Sequence, residues 1–168
     1  MRLALPYLAL IIVLTSSCSK YENFAGYEET TDELTTNVTL VSSDVHSAIE
    51  AELFEMINTH RISIGLNEMA FESTTYYYAG LHTDYMIDKG ITSHDKFEER
   101  AENISKRTGA LFVAENVARN YDTVEDAFEA WLYSPEHRKN LEGNFDYSAI
   151  SIKRNSNGDL YFTQVFFR

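Results

Sequence analysis

The apolar run just before the C-terminal Arg168 constrains the fold more than any other stretch. Residues 160–167 put Leu160, Phe162 and Phe166 on one face of an extended strand and Tyr161, Val165 and Phe167 on the other. A strand that is apolar on both faces must be covered on both. Residues 147–154 alternate ahead of it and Asn155-Ser156-Asn157-Gly158 supplies turn chemistry, so the C-terminus is expected to be an antiparallel hairpin. The cover has to come from helices earlier in the chain. The expectation is an α+β chain whose small antiparallel sheet lies between helices, a three-layer α-β-α sandwich.

Helical spacing supplies those layers. Val45, Ile49, Leu53, Met56, Ile57 and His60 share one side of a first helix that Ser43 or Asp44 can cap and Gly65 ends. Residues 68–73 read as a connection, and residues 74–89 as a second helix closed by Gly90. Its three consecutive tyrosines, residues 76–78, should divide between core and rim, with core packing the leading use. Phe97, Ala101 and Ile104 mark a third helix, and Val124, Ala127, Phe128 and Trp131 a fourth, capped by Asp122 or Thr123. Pro135 suits the first turn of a short fifth helix, residues 135–141, with Ser134 as its cap and Gly143 at its end. That junction places His137 one turn into the short helix, while Trp131 anchors the core. His46, His60 and His82 read as helix-surface or packing residues.

Residues 111–118 are apolar except for Glu115 and Asn116. A carboxylate buried in such a run needs a donor or a cation, because a bare buried charge is costly. Glu115 is therefore a functional candidate.

The N-terminus bears on location. Arg2, an apolar run over residues 3–14 and the small residues Thr15-Ser16-Ser17 resemble a signal peptide, and Cys18 follows them directly. The run is too short for a membrane-spanning helix, which needs about 20 residues. Cys18 stands where a bacterial lipoprotein carries its lipid; the other reading is an ordinary secretory peptide with a leftover thiol. The expected partition is a signal peptide over 1–17, an acidic flexible tether over 18–43 and one domain over 44–168. From residue 21 to residue 43 the tether has no Lys or Arg to oppose Glu22, Glu28, Glu29, Asp32 and Glu33. Its root-mean-square reach would be roughly 25 Å. The expected location is the bacterial cell envelope, lipid-anchored and extracytoplasmic. In that setting the triplets Asn37-Val38-Thr39 and Asn103-Ile104-Ser105 are chance matches to a glycosylation signal. A formal net charge of −12 excludes a sequence-independent grip on nucleic acid and electrostatic docking on anionic lipid, and a single cysteine excludes an internal disulfide.

Several short pieces occur in a telling order: residues 58–61, Ser93-His94, Glu115-Asn116, Trp131 followed by Ser134-Pro135-Glu136-His137-Arg138-Lys139-Asn140, and Thr163-Gln164-Val165-Phe166. Together they resemble the bacterial branch of the CAP superfamily, also called the SCP domain, over essentially the whole domain. The resemblance implies an α-β-α sandwich. It also implies a groove in which, in eukaryotic members, two histidines and two acids converge and can bind a divalent metal. Carried over by position, His94 matches the first histidine and Glu115 the first acid. Tyr161 stands where the second histidine would be and Ser134 near the place of the second acid. His137 matches the histidine of bacterial members, and Ala114 replaces the usual glycine before Glu-Asn. The expected groove is His94, Glu115, Asn116, His137 and Gln164, with His94, Glu115 and His137 as candidate metal ligands and catalytic groups.

Two imidazoles and a carboxylate suit zinc or another divalent cation by ligand type, and a bound water could support hydrolysis. Three readings stay open: a hydrogen-bonded His–Glu–His cluster without metal, a metal site, and a catalytic site. Ser93 and Ser134 read as turn and cap residues, and no serine sits in a nucleophile elbow. Two functions follow. One is a non-catalytic binding module for a lipid or envelope-derived ligand, as the resemblance implies; the other is a metal-dependent hydrolase acting on peptide or cell-wall material. Oligomeric state is not legible in the sequence.

Overall fold

The protein is described by a computed structural model covering residues 18–22 and 46–168. The expected signal peptide, the rest of the tether, the caps at Ser43 and Asp44 and the Asn37 triplet lie outside the described residues. In chain order the elements are β1 (Cys18–Glu22), α1 (Ala48–Ser63), β2 (Ala70–Phe71), α2 (Ser73–Lys89), α3 (Phe97–Thr108), β3 (Phe112–Arg119), α4 (Val124–Tyr133), α5 (Pro135–Leu141), β4 (Tyr147–Arg154) and β5 (Leu160–Phe167).

The strands form one sheet in the order β1-β3-β5-β4-β2. All neighbours are antiparallel except the two-residue β2, which runs parallel to β4 within what the sequence presents as a connection. The central strand is β5, every residue of which is buried, as its two apolar faces require. Register fixes the layers: Asn116 faces Gln164, which faces Ile150, so the even-numbered residues of β3, β4 and β5 share one side. On that side Ala114, Ile150, Phe162 and Phe166 pack with Leu53 and Ile57 of α1, Trp131 of α4 and Leu141 of α5. On the other, Val113, Val165 and Phe167 pack with Ala79 of α2 and Phe97, Ala101 and Ile104 of α3. The three-layer α-β-α sandwich is thus observed.

Three local details differ from the sequence reading. The first helix starts at Ala48, because the Glu50 carboxylate turns back to accept from the Ser47 backbone N–H at 2.8 Å and the Ser47 hydroxyl at 2.7 Å. The same carboxylate accepts from the Tyr76 hydroxyl and the Ile152 backbone N–H, each at 2.8 Å, and so ties α1 to α2 and β4. The tyrosines of α2 are half-buried rather than core residues, since the inward positions belong to Thr75, Ala79, His82, Thr83 and Met86. Finally, the first five residues of the expected tether form β1, an edge strand on β3 with Cys18 opposite Asn116.

Residues 58–61 serve the frame. Asn58 exchanges hydrogen bonds with the Met69 backbone, at 3.0 Å in each direction. Arg61 is fully buried and donates to the carbonyls of Leu141, Gly143 and Phe145, pinning the turn after α5 to α1. Among the described residues no helix is long and apolar enough to cross a membrane.

Candidate functional site

Glu115 sits in the middle of β3 with no exposed surface, and its side chain points to the α2–α3 side. Arg100 of α3 meets it as a fork: Nε donates to Oε2 at 2.7 Å and an Nη to Oε1 at 2.7 Å. The other Nη donates to the Asp95 carbonyl at 3.2 Å, tying the segment ahead of α3 to the same guanidinium. His94 lies in that segment, and its Nδ1–H donates to Oε1 at 2.8 Å. This bond leaves Nε2 buried and without a partner among the described residues. His82 of α2 completes the cluster. Its Nε2–H donates to the Ser93 carbonyl at 2.7 Å and lies 3.8 Å from Oε1.

Electrostatics follow from this arrangement. Burial alone would push the Glu115 carboxyl up, but the hydrogen bond from His94 and the charge of Arg100 outweigh it and hold the pKa below the ordinary value. Glu115 is therefore ionised at neutral pH and accepts three hydrogen bonds. Burial pushes the His82 imidazole down, against the pull of Glu115, so it is neutral there. Between α2 and α3 a cavity of about 250 Å³ opens to solvent beside the cluster, lined by Tyr78, Leu81, His82, Tyr85, Lys96 and Arg100 among others. Lys96 adopts the left-handed conformation (φ 59°), and Tyr85 donates to Asp95 at 2.7 Å, so the rim is locally strained and tied down.

The sequence grouping of His94, Glu115 and His137 divides at the sheet. Glu115 and Asn116 are adjacent in one strand, so their side chains leave on opposite faces. Asn116 points to the α4–α5 side, where its amide donates to the His137 carbonyl at 3.1 Å. Asn140 donates to the Asn116 side chain at 2.9 Å and to the Glu115 carbonyl at 3.2 Å. Here His137 stands beside Trp131, with ring centroids 6.3 Å apart. Gln164, also on this side, donates to the Ser148 hydroxyl at 3.1 Å, and its Oε1 has no partner among the described residues. Of the five expected groove residues, then, the structure unites His94 with Glu115 and places Asn116, His137 and Gln164 behind them.

The donor set does not fit a metal ion. No group of three or more His, Cys, Asp or Glu side chains among the described residues is placed to hold one. Arg100 occupies both carboxylate oxygens with a fixed positive charge, which a divalent cation would have to displace.

Arg100 and His82 are the site residues that the sequence reading missed, and each carries a signal. Arg100 falls on the stripe of Phe97, Ala101 and Ile104, and His82 on that of Ala79, Thr83 and Met86, so both are polar groups on buried helix faces.

The α-β-α sandwich and the Glu-Asn pair buried in its sheet agree with the CAP-domain resemblance of the sequence. The model of the cysteine-rich secretory protein family matches residues 54–166, and the chain belongs to that family. Its only cysteine precedes the matched segment, so packing and polar clamps hold the domain without disulfides. Among relatives, it is 28% identical over 155 residues to the Bacillus subtilis protein YkwD, a match covering 90% of this chain and 59% of that one. The solved structure of an extracellular SCP-domain protein from Bacillus anthracis superposes with a TM-score of 0.62 at 25% identity, covering 71% of this chain and 40% of the other. An outer surface protein of Borrelia burgdorferi shares the fold with a TM-score of 0.66 at 18% identity, covering 74% of this chain and 96% of its own.

Proposed function

We propose that the chain is an extracytoplasmic, non-catalytic binding domain, held to the bacterial envelope by a lipid on Cys18. On this reading its ligand site is the α2–α3 cavity beside the Glu115 cluster. One observation carries the non-catalytic part: both oxygens of Glu115 are engaged by Arg100 while His94 also bonds one of them. A carboxylate so held is ionised, accepts three hydrogen bonds and has no exposed surface, so it has no proton to give as a general acid and meets no solvent water as a base. Tyr78, Leu81 and Tyr85 offer apolar contact, and His82 and Arg100 offer a polar floor. That combination suits a small envelope-derived molecule, or the end of a lipid, with one hydrogen-bonding group. The extracytoplasmic location is supported by the relatives described as extracellular or outer surface proteins. A lipid anchor is supported by Cys18 directly after the small residues of the signal-like segment. A metal-dependent hydrolase would need Arg100 to vacate Glu115.

The test is native mass spectrometry of the full chain extracted from envelopes in mild detergent, beside a Leu81→Arg variant that fills the cavity mouth. A small molecule retained by the parent and absent from the variant is expected. Cleavage of peptide or cell-wall material that appears only with added zinc, with no retained molecule, would overturn the reading.

A further inference from the structure

On the other face of the molecule from the Glu115 cluster, α1 and α4 border a shallow trough that the ligand site does not use. It has two lobes, each about 530 Å³, which share Met56, His60, Glu125 and Phe128. Its apolar strip consists of Met56 from α1 and Phe128, Leu132 and Tyr133 from α4. Tyr133 is 84% exposed, an aromatic ring standing in solvent at one end. Five carboxylates surround the strip: Glu52, Glu55, Glu125, Glu129 and Glu142. Arg138 is the one Lys or Arg among the lining residues, and His60 is hydrogen-bonded to Glu142 at 3.0 Å. On α1 the lining runs from Glu52 to Ser63, about 16 Å of helix at 1.5 Å per residue.

We propose that this trough docks a cationic amphipathic helix of about three turns, supplied by a partner protein. The helix would lay apolar residues on Met56, Phe128 and Leu132 and pack one against Tyr133, with Lys or Arg meeting the carboxylate rim. Charge selects the occupant, because a rim of five carboxylates and one guanidinium attracts a basic segment and repels an acidic one. This chain's own residues 21–43 contain only acids among their charged groups. A second copy brings a formal charge of −12. A fatty acid would bring its own carboxylate to the rim. The trough and the α2–α3 cavity share no lining residue, so the proposal stands apart from the ligand reading.

The test uses fluorescence anisotropy with a labelled synthetic helix of Leu and Lys at amphipathic spacing, titrated with the full chain in detergent at physiological salt. A Leu-Glu peptide of the same pattern and dodecanoate serve as competitors. Glu125→Lys with Glu129→Lys reverses the rim, and Asp88→Lys with Glu98→Lys makes the same change in net charge on exposed positions of α2 and α3. Saturable binding is expected, weakened at least about tenfold by the rim reversal and no more than about twofold by the control reversal. Tyr133→Ser is expected to weaken it several-fold with no change in thermal stability. Equal weakening by the two reversals, displacement by the Leu-Glu peptide or dodecanoate, or absence of saturation would overturn the proposal.

Discussion

Replacing Arg100 by Met tests whether the guanidinium, rather than a metal, neutralises Glu115. The substitution keeps an unbranched stem in place of the arginine's methylenes and removes the donors at 2.7 Å from each carboxylate oxygen. Glu115 has no exposed surface, so its charge is left in a poorly solvating site with only histidine neighbours. Breaking a buried pair by removing one partner costs about 3–5 kcal/mol. With a urea slope of about 2 kcal/mol per molar, the unfolding midpoint should fall by about 2 M at pH 7. The pH dependence gives the sign. In the parent the Glu115 pKa is lowered, so its stabilisation is present above the ordinary carboxylate range and is lost as pH falls through the lowered value. In Arg100→Met a proton on Glu115 or on a neighbouring histidine must replace the lost cation. The deficit relative to the parent should therefore shrink as pH falls from 7 toward 4. Adding Glu115→Leu should recover much of the loss, since an apolar pair replaces a lone buried charge. Urea unfolding followed by circular dichroism at several pH values measures all of this. A deficit below about 1 kcal/mol at pH 7, or one that does not narrow with acid, would refute the electrostatic reading.

Three further outcomes follow from the same structure. His46 accepts from the Ile150 backbone N–H at 2.9 Å, and burial pushes its pKa down from 6.5 to about 4, against the pull of Glu50. Folding thus opposes its protonation, so stability is intact above the unfolded value of 6.5 and is lost as pH falls toward 4. Relative to His46→Gln, the parent should lose about 2 kcal/mol between pH 8 and pH 5, which urea unfolding of both proteins will show. Gly143→Ala would drive a Cβ into Cε2 of the buried Phe145 ring, so a loss of about 1–3 kcal/mol is expected in thermal unfolding. Asn140→Ala frees a buried acceptor on Asn116 and should cost about 1–3 kcal/mol, with hydrogen exchange rising first in α5.

The elements could be read from the sequence because their signals are local. The bounds of β4, β5 and α5 follow from alternation, turn residues and the proline at residue 135, and the layers follow from the two apolar faces of β5. Site membership is not local. His82, His94, Arg100 and Glu115 come from two helices, a connection and a strand, and no spacing rule joins them. Even so, two signals lay in plain periodicity. A cation on the apolar stripe of α3 marks the partner that Glu115 needs, and strand alternation sends Glu115 and Asn116 to opposite faces. Grouping His137 with His94 and Glu115 rests on the resemblance and passes over the second signal, since it is Asn116, not Glu115, that faces the side carrying His137. The edge strand β1 was hidden for another reason: an acidic, threonine-rich context outweighs five residues whose pairing depends on an edge far along the chain.

The central claim is that Arg100 takes the place of a cation at Glu115 while His137 serves the opposite face. Isothermal titration of zinc into the full chain, beside a His94→Ala/His137→Ala variant, tests it most directly. The expected result is no stoichiometric uptake by either protein. One zinc bound per parent chain and lost in the double variant would contradict the claim, because an ion would then be held at His94 and Glu115 in spite of Arg100, or His94 and His137 would share one site.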